Sequence, residues 1–275
     1  KTGLEGAEFS VLNREIVDGL GKRMRIETKE ATRRANPILR MAYLATKSDL
    51  DLGATKDGKL VLSSVAAIRE ALEECGVLYA RSRNSEALAH DTMQRAQWQK
   101  KLHAGETFAD VLASGDLQLD TQHLAPWSRW ITPRMPSVTS KRFDTRFFVA
   151  VLPPNQTPIH DDVEAVDSIW LSPRDALLKY WDRGISMAPP QIMTLVNLLP
   201  YSDCASVLRA ALARKPSAVM PETFNADGLR HICYPGDPQH SIKEKAMIGP
   251  TRLRFMEGRF EPKDGVGAFL DPEGI

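Results

Sequence analysis

Residues 69–77, Arg69-Glu70-Ala71-Leu72-Glu73-Glu74-Cys75-Gly76-Val77, place three carboxylates and one guanidinium within two turns of a predicted helix. Ser63 and Ser64 can cap its start, Val65, Ala66, Ala67 and Ile68 carry it forward, and Gly76 suits the position just past its end. Glu70, Glu73 and Glu74 stand at i, i+3 and i+4 and therefore share one face. Three like charges on one face repel. A hard divalent cation removes the repulsion, because Mg²⁺, Mn²⁺ and Ca²⁺ prefer carboxylate oxygens. The spacing thus points to a metal site; the alternative is a solvated, charge-rich helix face.

The same stretch resembles the second half of the Nudix hydrolase signature, Arg-Glu-aliphatic-any-Glu-Glu-any-Gly-aliphatic. Average residue usage makes a chance match on the order of 10⁻⁵. The resemblance implies a phosphoanhydride hydrolase that uses Mg²⁺ or Mn²⁺ and cleaves a nucleoside diphosphate linked to another group. It also implies Glu70 and Glu74 as metal ligands, Glu73 supporting or joining them, and Arg69 orienting a glutamate by a charge-assisted hydrogen bond. The signature's first half calls for a glycine fourteen residues before Arg69 and a glutamate eight before it, where Thr55 and Val61 stand. A long insertion over Gly19–Leu62 would account for this. The Phe-Pro-Gly-Gly of the family is absent from the upstream segment Gly6–Asp18.

A second block narrows the resemblance. Trp127-Ser128-Arg129-Trp130-Ile131-Thr132-Pro133 is followed by Lys141-Arg142-Phe143-Asp144-Thr145-Arg146-Phe147-Phe148, then by Glu164 with Trp170 six residues on, then by Ala188-Pro189-Pro190-Gln191. This order is similar to the acyl-coenzyme A diphosphatase branch of Nudix hydrolases. That branch implies coenzyme A or acyl-coenzyme A as substrate, with (acyl-)4′-phosphopantetheine and 3′,5′-ADP as products. Glu164 becomes a candidate general base or metal neighbour, against a solvated acid beside Asp161 and Asp162. Arg142 and Arg146, at i and i+4 on one strand face, are candidate phosphate grips. Asp144 shares that face and can neutralise one of them. Phe143 is a candidate for stacking on adenine, against a core or rim aromatic. Two other functions remain open: a Nudix pyrophosphatase for NADH, ADP-ribose or an RNA cap, and an inactive Nudix-fold binding or scaffold subunit.

These residues need elements to position them. The fold class expected is α/β: a Nudix α/β/α sandwich with a mixed sheet, a helical insertion and a C-terminal extension, since strands and helices alternate. Residues 1–200 would form the hydrolase domain, with the signature helix over 63–75 and the insertion over 84–125. Residues 201–275 would be a small β-rich or interface segment. Within this frame, residues 1–18 read as an extended lead-in and Glu27–Thr46 as helical around Pro37. Ser48–Lys59, with Gly53 and Gly58, reads as a polar loop, and Val77–Ala80 as a short buried strand. Glu86–Ala113 reads as one or two amphipathic helices divided at Gly105, with Leu88, Met93, Ala96, Leu102, Phe108 and Leu112 on the apolar side. Arg146–Leu152 is a strand stopped by Pro153-Pro154, Ala165–Leu171 another, and Pro173–Tyr180 and Gln191–Leu199 are helices. Pro189-Pro190 reads as a rigid turn, and Trp127 and Trp130 as anchors of the insertion.

The 275 residues carry 36 basic and 35 acidic side chains, a net charge of +1. That balance excludes bulk attraction to nucleic acid or a membrane surface. No run of eighteen apolar residues offers a spanning helix. Cys75, Cys204 and Cys233 lack metal-ligand spacing and fit a reducing compartment. A small nucleotide of the coenzyme A type is the expected partner, with a homodimer as one option for assembly. The chain ends Glu273-Gly274-Ile275, unlike a Ser-Lys-Leu address, so a cytoplasmic location is expected although the resemblance also admits peroxisomes.

Overall fold

The computed structural model describes residues 8–11, 40–48, 56–83, 91–133, 143–159 and 169–272. In chain order the elements are β1 (Glu8–Val11), β2 (Arg40–Ser48), α1 (Lys56–Cys75), β3 (Ala80–Ser82), α2 (Thr92–His103), α3 (Phe108–Ser114), β4 (Leu117–Leu119), β5 (Leu124–Ile131), β6 (Asp144–Val151) and β7 (Trp170–Leu171). There follow α4 (Pro173–Trp181), α5 (Pro189–Leu198), α6 (Cys204–Ala213), β8 (Ser217–Val219), β9 (Glu222–Ala226), β10 (Leu229–Cys233), β11 (Arg252–Met256), β12 (Arg259–Glu261) and α7 (Gly267–Leu270).

Six strands form a central sheet in the order β7-β1-β2-β6-β5-β8. It is mixed, as expected: β1 and β2 run parallel, as do β5 and β8, while the β1–β7, β2–β6 and β5–β6 pairs are antiparallel. Strand β6 explains the layering. Successive side chains on a strand point to opposite faces, so Phe147 and Val149 enter one apolar cluster while Phe148 and Ala150 enter another. The first cluster is covered by α4, α5 and α6, the second by α1, α2 and α3. The result is an α/β/α sandwich.

Several elements follow their local chemistry. Asp91, Thr107, Ser172 and Asp203 each accept a hydrogen bond from the backbone N–H three residues on, capping α2, α3, α4 and α6. The α2–α3 break falls at Gly105, as its sequence predicts. Pro189 and Pro190 are the first turn of α5 and not a separate turn, because proline's missing N–H is no loss there.

Four sequence expectations are corrected. The signature helix starts at Lys56, not at Ser63, so it contains Gly58, and Ser63 and Ser64 are buried within it and are not caps. The described part of the predicted 27–46 helix is β2, because eight-position pairing with β6 outweighs the helical leaning of Met41-Ala42-Tyr43-Leu44-Ala45. Val77–Tyr79 are buried but irregular, and β3 begins only at Ala80. Met93, assigned to the apolar side of α2, is exposed, while Trp98 and Val111 are buried in the second cluster.

The chain after residue 200 both extends the central sheet and adds a second one. β8 lies beside β5, and β12-β11-β10-β9 form an antiparallel four-stranded sheet. Ile232, Tyr234, Leu253 and Phe269 join the same apolar cluster as Trp127 and Trp130. Trp130 meets Tyr234 edge-on at 5.7 Å between ring centroids, and Arg214 lies 4.3 Å over Trp127. Both tryptophans therefore anchor the C-terminal segment, not the insertion. A bulge in β5 at Trp127 makes this possible. It shifts register between Pro126 and Ser128, so Ala125, Trp127 and Trp130 all reach one face.

Candidate active site

The last two and a half turns of α1 split cleanly by face. Ala67, Ile68, Ala71, Leu72 and Cys75 are buried in the cluster that contains Phe148 and Ala150. At 100° per residue this apolar arc leaves Arg69, Glu70, Glu73 and Glu74 on the far side, each half-buried. Arg69 sits between two of the acids: it donates to Glu70 Oε1 at 2.5 Å and also to Glu73 Oε2. The guanidinium thus neutralises part of the repulsion that the sequence spacing creates. The orienting role expected of Arg69 has a geometric basis here.

The end of this helix is held unusually completely. Gly76 takes φ +62°, the left-handed conformation that glycine adopts at least cost. Its N–H returns to Leu72 O at 3.0 Å, and Val77 N–H to Ala71 O at 3.0 Å. A helix leaves its last carbonyls without intrahelical partners, and here other elements supply donors. Glu73 O receives Gln99 Nε2 at 3.0 Å and lies 3.1 Å from His103 Nε2. Cys75 O receives Ile159 N–H at 2.8 Å. Gly76 O receives Arg95 Nη1. Just beyond, the buried side chain of Gln156 accepts from Leu78 N–H at 2.9 Å and donates to Leu78 O at 2.8 Å, as a neighbouring strand would.

A second polar group lies on the sheet face that α1 covers. Asp144, buried, accepts from Arg129 Nε at 2.7 Å and Nη2 at 2.6 Å, and Arg146 Nη2 lies 3.7 Å from it. Asp144 therefore neutralises Arg146 in part, as the sequence suggested, but its principal partner is Arg129. The hydrogen bond that Arg129 donates to Asp144, with the charge of that carboxylate, raises the pKa of the Arg129 guanidinium above its ordinary value although burial opposes this. Phe143 is half-buried, and its backbone exchanges hydrogen bonds with Thr132: N–H to Oγ1 at 2.8 Å, and Thr132 N–H to Phe143 O at 2.9 Å. Arg142 and Glu164 lie outside the described residues.

As a donor set, the carboxylate oxygens of Glu70, Glu73 and Glu74 suit a hard divalent cation. Among the described residues, however, no three His, Cys, Asp or Glu side chains stand close enough together to hold one. All three cysteines are buried and none is in a disulfide. No helix among the described residues is long and apolar enough to cross a membrane.

Reading for chemistry missed Arg95, Gln99, His103, Gln156 and Arg129. Arg95, Gln99 and His103 fall at i, i+4 and i+8 of α2, a polar stripe beside the buried Trp98 and Leu102. That period was the signal available.

The chain is similar to known proteins. The family profile described as the NUDT19 Nudix domain matches residues 7–198. The chain is 30% identical to human acyl-coenzyme A diphosphatase NUDT19 over 220 residues, 73% of this chain and 57% of that protein. It is 26% identical to the Xenopus laevis protein of the same name over 219 residues, 71% of this chain and 58% of the relative. The Gallus gallus protein is 24% identical over 228 residues, 74% and 60% of the two chains. The chain thus spans under two thirds of the length of these relatives. A crystal structure of a Nudix hydrolase from Alicyclobacillus acidocaldarius is also similar, at 24% identity and a TM-score of 0.46, covering 57% of this chain and 68% of that one.

Proposed function

The chain belongs to the NUDT19 Nudix domain family, and from that premise we propose that it hydrolyses the pyrophosphate of coenzyme A or acyl-coenzyme A. The products are 3′,5′-ADP and 4′-phosphopantetheine or its acyl form. One observation carries this reading: the glutamate face of α1, with Arg69 set between Glu70 and Glu73 and turned away from the core. The names of the relatives support the substrate class.

Glu70 and Glu74 would hold Mg²⁺ or Mn²⁺, with Glu73 supporting or joining them. The cation, when bound, supplies positive charge at the pyrophosphate oxygens and acidifies the attacking water. The protein's own residues do the rest. A carboxylate, Glu73 or Glu164, takes the proton as water attacks phosphorus in line. Arg69 keeps Glu70 and Glu73 oriented. Arg142 and Arg146 grip phosphate oxygens, and Phe143 offers a face to the adenine. Positioning and charge, with no covalent intermediate, provide the rate enhancement.

The test is incubation of the purified protein with coenzyme A, an acyl-coenzyme A, NADH, ADP-ribose and capped RNA, with Mg²⁺, Mn²⁺ or a chelator, followed by chromatography. Release of 3′,5′-ADP from the coenzyme A substrates alone is the expected result. Preferential cleavage of another nucleotide would redirect the substrate within the family. A second reading, an inactive binding protein of this fold, is favoured by the lack of a three-donor metal cluster among the described residues. Calorimetry separates the two: heat from Mn²⁺ binding supports the enzyme, and none supports the binding protein.

A further inference from the structure

We propose that the polar stripe of α2 is a brace that positions the glutamate-bearing turn of α1, with Gln99 and Arg95 as its positioning residues. The inference rests on the reading of Glu70, Glu73 and Glu74 as the metal-holding face.

The observation is that two side chains make the same double link. Gln99 Nε2 donates to Glu73 O at 3.0 Å and to Ile159 O at 3.3 Å. Arg95 Nη1 donates to Gly76 O and lies 3.5 Å from Thr157 O. Each thus joins the C-terminal turn of α1 to the segment 157–159, which is itself tied back through Ile159 N–H to Cys75 O. His103 adds a contact of 3.1 Å to Glu73 O. The three belong to one helix at a spacing of four, so α2 presents one edge to the turn that carries the acids.

Arg95 is an expensive way to hold a helix end. It is fully buried, its described acceptors are all uncharged, and its Nε has no partner among the described residues. Burial lowers its pKa although the charge of Asp91 opposes this, and burying a guanidinium with no carboxylate hydrogen-bonded to it costs free energy that an apolar residue would avoid. Its rigid fork, however, can reach carbonyls on two segments at once, which a methionine or leucine cannot. Ligand-supporting groups outside a metal's immediate shell typically alter affinity by about 10- to 100-fold. The insertion is therefore a structural support of the site.

The experiment compares the full chain with Gln99→Leu, and with Val111→Ala as a control that loosens the insertion away from the stripe. Gln99→Leu should weaken Mn²⁺ binding by about tenfold in calorimetry, leave KM for coenzyme A within about twofold, and speed amide exchange at Gly76 and Ile159. Val111→Ala should lower the unfolding temperature and leave Mn²⁺ affinity alone. Unchanged Mn²⁺ affinity in folded Gln99→Leu overturns the brace, as does equal weakening by Val111→Ala. If the parent protein binds no Mn²⁺, the metal reading fails; the brace then stands or falls on whether Gln99→Leu accelerates exchange at Ile159.

Discussion

Arg129 clasps Asp144 across β5 and β6 with two hydrogen bonds, 2.7 Å and 2.6 Å, and the clasp depends on the bulge at Trp127. Without that extra residue, Arg129 would share the parity of Ala125 and point into the opposite apolar cluster. The bulge aims it instead at the face bearing Asp144 and Arg146. Asp144 is 5% exposed and faces two guanidinium groups. Its loss takes a charged partner from both, whereas loss of Arg129 leaves Arg146 beside the acid. Asp144→Asn should therefore cost about 2 kcal/mol in urea unfolding, and Arg129→Leu clearly less. The reverse order would contradict the assignment of Asp144 as the shared anchor.

Gly76 is the crossing point of α1, α2 and the 157–159 segment. A Cβ there would lie 3.4 Å from Ile159 O, 3.5 Å from Ile159 Cβ and 3.7 Å from Gln99 Oε1, ordinary contact distances. Space is thus available, and the cost of Gly76→Ala comes from backbone conformation at φ +62°. A left-handed alanine costs about 1–2 kcal/mol. Thermal unfolding should show a loss of that size. A neutral result would mean that the turn relaxes to another conformation, which an exchange measurement at Val77 would reveal.

The parts of the site that could be read in the sequence share a property: their signal is local. The glutamate face follows from helical spacing alone, and β6 from an apolar run stopped by Pro153-Pro154. Helices α4 and α5 announce themselves through proline in the first turn. What could not be read depends on distant partners. β2 carries residues content in a helix and becomes a strand only because β1 and β6 flank it. The stripe of Arg95, Gln99 and His103 looks solvated until the open carbonyls of α1 are known to lie beside it. The facing of Trp127 and Trp130 turns on a one-residue bulge, which no periodicity announces.

Acid sensitivity should arise in part from Asp237, 2% exposed beside β11. Burial alone would raise its carboxyl, but two hydrogen bonds from Arg252, one from Gln239 N–H and one from Thr251 hold it below the ordinary carboxylate value. A group with a depressed folded pKa contributes stability above the unfolded value, about 3.9. It loses that contribution as pH falls through the folded value. Asp237→Asn should cost about 2 kcal/mol at neutral pH, and the gap from the parent should narrow steadily below about pH 4. Unfolding free energies measured across that range would show it. A gap that stays constant with pH would remove Asp237 from the acid response.

Glu74 separates the proposed metal ligation from the Arg69 clasp. Arg69 bonds Glu70 and Glu73, so Glu74→Gln leaves that clasp in place, whereas Glu73→Gln weakens it. If Glu74 is a metal ligand, the amide should lower turnover at least a hundredfold, about 3 kcal/mol in the barrier, with the Arg69 clasp intact. Glu73→Gln should reduce both activity and unfolding temperature, because Arg69 loses one of its two carboxylates. Steady-state kinetics at saturating Mn²⁺ and a thermal melt on each variant give the comparison. Full turnover in Glu74→Gln would remove it from the ligand set and shift the metal toward Glu70 and Glu73, the pair that Arg69 already holds together.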